Sequence, residues 1–512
     1  MRKKNASIVL FLVLLLPMLT VVSGLAATEE EIEDSIALGL PWLASQQKPD
    51  GSWGDWNNIA KTGLAVLKFI DYVKEVPDID SWTDPDYVYH DAVVNGLNYL
   101  FSNGYYVDIS IQTYGDPDTL DNDKGIRFNG FDDYETSIAL MALGATMTPS
   151  LTVTAPGPLN EVTYADVVQD IVDYLSYTQR ESTYARGGWG YEYYDDWADN
   201  SVSGYAALGL GYAQAFGATI PQFVKDELTH WIGIIQSPAG YSYYRPPDVW
   251  SDPYGDPLLR TGNLLYEMAL VGMPLDDPQV QLALTYIEDN WALDWNTYQR
   301  AYCLMKGLEA YGIEDEISVG VSGDWFDELS TYIVDTQNLD GSWPRDPHDG
   351  DDPYPMTAAW ALLTLEKTVA VPMITVSIDI KPGSWPNPFN KKAKGVFAVA
   401  ICGTEDFDVT QIDPATIMIY PDDPETGVHP IRWTYEDAAT PYDDVTPEEA
   451  NGHDLEGDGI LDLVLHFDRK AVTPLLCEYE TGDYVELYVT GNLLEEFGGT
   501  PISGFDWVRI KK

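Results

Sequence analysis

Two stretches of the chain carry residue types that do chemistry. The first is Asp132-Asp133-Tyr134-Glu135-Thr136-Ser137, where three carboxylates precede an apolar run. A carboxylic acid starved of water, with a neighbour that activates its proton, is a general acid. The second is Asp454, Glu456, Asp458, Gly459 and Asp462. Oxygen ligands at alternate positions, a glycine to turn and a further acid make a Ca²⁺ loop, with Ile460 offering its carbonyl. The twelfth position from Asp454 is Leu465, so this is not a full EF-hand; the plain alternative is an acidic turn before a strand. A scattered third set stands before Ala- and Leu-rich stretches: Asp199, Asn200, Asp256, Arg260, Asp294, Tyr298, Arg300, Asp352 and Tyr354. Such residues cap helix N-termini, where the dipole favours carboxylates. The functional alternative is an acidic, aromatic-lined pocket for a small molecule, a glycan or a peptide.

The elements that must position these residues form a repeat. An aromatic, an aliphatic, three residues, Gln and then Gly-x-Trp reads Trp42-Leu43, Gln47, Gly51, Trp53, and returns as Tyr332-Ile333, Gln337, Gly341, Trp343. A longer variant is Tyr174-Leu175, Gln179, Gly188, Trp189; a weaker one is Trp231-Ile232, Gln236, Gly240, with degenerate copies at Tyr99-Leu100 and Tyr286-Ile287. Each start is followed by a second helical pattern carrying a small pair: Thr62-Gly63, Thr136-Ser137, Ser203-Gly204, Thr261-Gly262, Thr357-Ala358, with Arg300-Ala301 in the fifth copy. These second helices are apolar nearly all round, which marks interior helices, whereas the first of each copy is amphipathic. A lone hairpin cannot bury its apolar face, so copies must stack, and six can close on themselves. Gln binds free backbone groups at a helix end, Gly allows a tight turn and Trp packs between hairpins.

These residues resemble the QW repeats of the squalene–hopene cyclase and protein prenyltransferase superfamily, over about residues 30–369. The resemblance implies an α6/α6 toroid with a central funnel, but not one function, because the fold serves cyclases, transferases and carriers alike. Squalene-type cyclases place the middle Asp of Asp-x-Asp-Asp-Thr-Ala at an inner helix mouth as general acid. Here the in-register match puts Tyr134 where that donor should be, leaving Asp132, Asp133 and Glu135 as the catalytic candidates if the protein is an enzyme. A literal Asp349-Gly350-Asp351-Asp352 lies too early, before Thr357. The zinc of prenyltransferases needs Asp, Cys and His; Cys303 has no histidine among His90, His230 and His348 at ligand spacing. Arg260 and Arg300 are the basic candidates for a diphosphate, and no nucleotide cofactor is expected. The expectation is therefore an exported binding or surface-interaction protein that uses the funnel, the alternatives being a cyclase-like isomerase or a carbohydrate-active toroid.

After residue 369 the period changes to two. A linker at 370–373 leads to a β-sandwich over 374–512, with strands expected at 375–380, 396–401, 416–420, 460–467, 484–489 and 507–510. The run Ile378-Asp379-Ile380-Lys381-Pro382-Gly383-Ser384 resembles an accessory module of secreted microbial proteins. At the N-terminus, Arg2, Lys3 and Lys4, an apolar run over 8–22 and small residues at 23–27 make the pattern of a signal peptide over 1–27. That run is short for a membrane span, so a soluble, secreted or surface-attached mature chain over 28–512 is expected, an uncleaved anchor being the alternative. The whole chain has 82 acids against 28 bases, a net charge of -54. Such a surface repels nucleic acid and anionic lipid, and suits a salty medium. Three cysteines make no disulfide framework: Cys303 reads as buried, while Cys402 and Cys477 fall in one region and have the option of pairing.

Overall fold

The structure is a computed structural model. It describes residues 26–511 apart from 78, 80, 129, 131, 193–195, 247–254, 294–296, 314–315, 371–373, 405–406, 422–425, 442–456, 478 and 495–500. Residues 1–25 of the signal-peptide pattern and 371–373 of the expected linker lie outside the described residues. Helices dominate the first part of the chain and strands the second.

Six hairpins run through the helical part. Their first helices are α1 (Glu29–Ser45), α3 (His90–Asn103), α5 (Tyr164–Thr178), α7 (Gln222–Ile235), α9 (Pro278–Asn290) and α11 (Trp325–Thr336). Their second helices are α2 (Asn58–Asp71), α4 (Asp132–Ala145), α6 (Asn200–Phe216), α8 (Pro257–Leu270), α10 (Tyr298–Glu309) and α12 (Pro355–Leu365). All six aromatic starts fall in the first set, and the five small pairs and Arg300-Ala301 in the second. The second set is buried all round, as in α12, where every residue is buried. The first set shows one apolar stripe, such as Ile36, Gly39, Leu40 and Leu43 of α1. Helix α5 departs from this pattern. It is buried on most sides because an unforeseen antiparallel hairpin, β1 (Gly104–Asp108) and β2 (Lys124–Phe128), packs over it.

The buried helices contact one another in sequence, α2 to α4, α6, α8, α10 and α12, and α12 returns to α2. The repeat residues supply the joints. Gln47, Gln179 and Gln236 each donate from Nε2 to the carbonyl of their own loop glycine. Each donates also to the next first-set helix, at Ala92, Val224 and Gln279 respectively. Gln337 of the sixth copy repeats the device on the first, donating to Ser35 O at 2.9 Å. The loop tryptophans are buried, and Trp53, Trp189 and Trp343 donate from Nε1 to Leu43, Leu175 and Ile333 O. The turn glycine of the third copy is Gly187 (φ 86°), one residue before the expected Gly188, in register with Gly51, Gly240 and Gly341.

Side chains meet in the middle of this circuit. Trp360 of α12 donates from Nε1 to Tyr205 Oη of α6, and these helices stand three places apart in the order of contacts. Lys306 Nζ of α10 lies 4.7 Å from the Tyr205 ring centroid, and Tyr134, Tyr302 and Glu267 are buried. Where the resemblance implies a central funnel, bulky side chains meet across the axis.

The strand part forms two sheets. One has the order β3 (Ile374–Thr375), β11 (Pro501–Lys511), β10 (Tyr484–Leu493), β7 (Ile412–Tyr420), with β5 (Pro388–Asn390) also on β11. The other has the order β4 (Ile378–Ile380), β6 (Val396–Ile401), β9 (Asp462–Asp468), β8 (Arg432–Glu436). Both sheets contribute to one apolar cluster, with Ile378, Val399 and Leu465 from one and Ile417, Leu487 and Val508 from the other. The expected strand at 375–380 is split between sheets, and β5 and β8 were not expected. Asp506 of β11 crosses the interior, accepting from Ile380 N at 2.6 Å and from Asn387 Nδ2 at 2.9 Å, and so satisfies the edge of β4. All three cysteines are free thiols, Cys303 and Cys402 buried and Cys477 exposed, so the option of a Cys402–Cys477 bond is not taken.

Candidate functional site

The N-terminal ends of the second-set helices carry the candidate residues, and most of the described carboxylates among them are engaged. Glu135 is buried, and its Oε2 accepts from Ile59 N and Ala60 N, so α4 caps α2. Asp133 accepts from Tyr174 Oη at 3.1 Å and lies 3.3 Å from Arg180 Nη1. The side chain of Asp132 is outside the described residues. Asp199 caps its own helix through Ser201 N and Val202 N, and burial raises its pKa. Asn200 donates to both oxygens of Glu267, whose pKa burial also raises. Asp256 caps Leu259 N and holds Arg300 Nε at 3.0 and 2.8 Å, while Arg300 Nη1 donates to Ala292 O. Arg260 Nε donates to Ser242 O, and Tyr298 Oη to Thr336 Oγ1. Neither arginine stands as a free anion receptor. Asp352 is exposed and Tyr354 half-buried at the start of α12, and Asp294 lies outside the described residues.

Several rim residues carry roles that the sequence did not disclose. Lys61 is buried and pairs with Asp349 at 3.0 Å and Asp351 at 2.6 Å, so the acidic tetrad is the seam between the last copy and the first. Asp349 Oδ2 also caps Thr357 N. Asp346 accepts from Gln299 N and from His348, whose imidazole that bond pushes above its ordinary pKa. In a chain with so many acids, nothing in the spacing singles these out.

What faces the mouth is an aromatic ladder. Half-buried Trp197 and Tyr191 have ring centroids 6.2 Å apart; Tyr191 is 5.6 Å from Tyr134, and Tyr134 is 5.3 Å from Tyr205, which meets Trp360. Arg245 lies over Trp197 with its guanidinium carbon 3.7 Å from the centroid. Burial pushes the hydroxyls of Tyr134 and Tyr205 well above the ordinary phenol pKa, so they remain protonated hydrogen-bonding groups. Beside the ladder, a 430 Å³ recess is lined by polar groups including Gln179, Arg180, Glu181 and Asp196. Tyr134 thus occupies the aligned donor position as a neutral floor residue.

Of the calcium ligands, Asp454 and Glu456 lie outside the described residues. Asp458 Oδ1 accepts from Ile460 N, the turn geometry the sequence anticipates. Asp462 is buried and turned inward, accepting from Gly403 N, Ala438 N and Ala439 N. Among the described residues no three acidic, histidine or cysteine side chains converge on a metal-sized point. Asp458 and Asp462 do not make a site by themselves, and Asp462 fits a loop-organising role. Among the described residues, no helix is long and apolar enough to cross a membrane. No protein-family model matches the chain, and no curated protein is significantly similar to it.

Proposed function

We propose that this protein is an exported binding protein, an α6/α6 toroid of the terpene cyclase and prenyltransferase kind followed by a β-sandwich, with its ligand site at the toroid mouth. The return of α12 to α2 and the Gln337–Ser35 bond support the toroid, and the apolar cluster shared by two sheets supports the sandwich. The observation that carries the binding reading is the aromatic ladder. Trp197 and Tyr191 offer half-buried ring faces above a floor of Tyr134 and Tyr205. Two of the candidate acids are engaged as caps, Glu135 on α2 and Asp199 on α6. A shallow aromatic mouth in an acidic surface suits a small molecule, glycan or peptide with a cationic or apolar face. Export rests on the N-terminal pattern, and a structural Ca²⁺ on the alternating acids from 454 to 462.

The test is mass spectrometry of what co-purifies with the mature chain, before and after Trp197→Ala. A ligand present in the parent and depleted in the variant is expected. Turnover of that ligand by the parent, abolished in Glu135→Gln, would replace binding with catalysis.

A further inference from the structure

At the opposite end of the helical part lies a cleft of about 1740 Å³ that reaches across to the strand part. One wall is made by the C-terminal ends of α6, α8 and α10, with Phe216, Met273 and Tyr311, and by Lys225 and Asp226 of α7. The other wall is the outer face of the sheet β7-β10-β11. Along β10 the residues Val485, Leu487 and Val489 point into the apolar cluster, so Tyr484, Glu486, Tyr488 and Thr490 point outward and are half-buried. The register places Tyr420 and Phe505 on either side of Tyr488 in one cross-strand row. Tyr420 and Tyr488 lie nearly parallel, 20° apart with centroids at 6.0 Å, and Phe505 follows at 5.8 Å, tilted by 49°. Tyr488 Oη donates to Glu486 Oε2 at 2.6 Å, and burial raises the Glu486 pKa.

The core does not need these rings, since the alternate residues of the same strands build it. We propose that the row Tyr420-Tyr488-Phe505 is a stacking platform for an uncharged or amino-sugar glycan chain, with Glu486 and Asp226 as hydroxyl acceptors. A pyranose presents an apolar C–H face and a rim of hydroxyls, and the cleft offers flat rings beside carboxylates and amides. A lipid chain would take water from Glu486, Asp226, Gln214 and Gln222 of the lining and give no hydrogen bond in return. An acidic polysaccharide is opposed by the net charge of -54. A peptide would seek a free strand edge, whereas β10 and β11 present a face within a paired sheet. The volume exceeds that of sites for single small ligands, which suits several sugar rings.

The experiment is calorimetric titration of the full mature chain with cellohexaose, xylohexaose, mannohexaose, N-acetylchitohexaose, chitosan hexamer and an oligogalacturonate. Binding of at least one uncharged or amino hexamer is expected, with no binding of the galacturonate. Tyr488→Ala and Tyr420→Ala weaken it by about tenfold or more (~1.4 kcal/mol). Tyr488→Phe keeps most of the affinity because the ring remains, and Trp433→Ala, on the exposed strand β8, leaves it unchanged. Circular dichroism of each variant excludes unfolding. Failure of every uncharged and amino probe overturns the proposal, as does undiminished binding by folded Tyr488→Ala. Because the cleft lined by Tyr488 and the mouth at Trp197 face opposite ends of the helical part, a ligand still co-purifying with Tyr488→Ala separates this site from the mouth.

Discussion

Thr62, Thr136, Ser203, Thr261 and Thr357 are one device used five times. Each hydroxyl accepts from a buried backbone N–H of the preceding loop, at Trp53, Phe128, Trp189, Ser242 and Asp346. Thr62→Val keeps the shape and strands the Trp53 amide, so it should cost about 1–3 kcal/mol, read as a lower urea midpoint at unchanged slope. An unchanged midpoint would remove the device from the account of stability. In the strand part, Asp379 is 1% exposed and its Oδ1 has no hydrogen-bond partner among the described residues. Burial, with Asp506 and Asp462 nearby, raises its pKa to about 8. The folded chain therefore holds this proton more tightly than the unfolded chain. The group's contribution to stability is full below the ordinary Asp pKa of about 4 and is lost as pH climbs through about 8. Asp379→Asn should melt close to the parent at acid pH and above it at pH ~9, by up to about 5 kcal/mol. Parallel melting curves from pH ~5 to pH ~9 would contradict the raised pKa.

Helix against helix, the decisive contacts are backbone on backbone. A Cβ added at Gly262 of α8 would lie 2.3 Å from Cys303 O and 2.5 Å from Cys303 C of α10, atoms that cannot swing aside. Gly233 of α7 is the matched control, with nothing within 4 Å of the same added atom. Gly262→Ala should therefore cost about 3 kcal/mol or more through overpacking, while Gly233→Ala should gain up to ~1 kcal/mol from helix propensity. Equal melting temperatures for the two variants would show that α8 and α10 do not approach so closely. The element scale is also where the sequence was most legible. The alternation of amphipathic and wholly apolar helices announces six hairpins, and the Gln that recurs in four copies and the loop Trp in three mark where copies join. Hairpin β1–β2 and strands β5 and β8 escaped, being short; β8 does alternate, with Trp433 and Tyr435 between Arg432, Thr434 and Glu436, but every residue is exposed, so no buried face marks it. The rim carboxylates were legible as caps by type, but Lys61 between Asp349 and Asp351 joins residues nearly the whole helical length apart, which no local spacing encodes. The aromatic ladder escaped for the same reason, since its rings come from three different helices and a loop.

At the scale of the whole molecule, charge and closure act together. An open stack loses one hairpin at a time, whereas a circuit tied by Gln337 to Ser35 and by Lys61 to Asp349 must open cooperatively. Opposing this closure is the mutual repulsion of 82 acids against 28 bases over one surface. Raising NaCl from ~0.1 M to ~1 M shortens the screening length from about 10 Å to about 3 Å, so repulsion between exposed acids collapses. The melting temperature should rise by several degrees as a single helical transition, and a fall with salt would mean that the surface ion pairs outweigh the excess acid. Calcium separates screening from binding. At fixed ionic strength, ~1 mM CaCl₂ adds almost nothing to screening, but it stabilises any unit that binds it by RT ln(1 + [Ca²⁺]/Kd), about 2.7 kcal/mol at a hundred times Kd. If the acids from 454 to 462 hold the ion, CaCl₂ should raise the transition of the strand part alone, EDTA should reverse it, and Asp458→Asn should blunt it. A shift shared by both parts, or matched by MgCl₂ and NaCl at equal ionic strength, would reduce the calcium loop to an acidic turn.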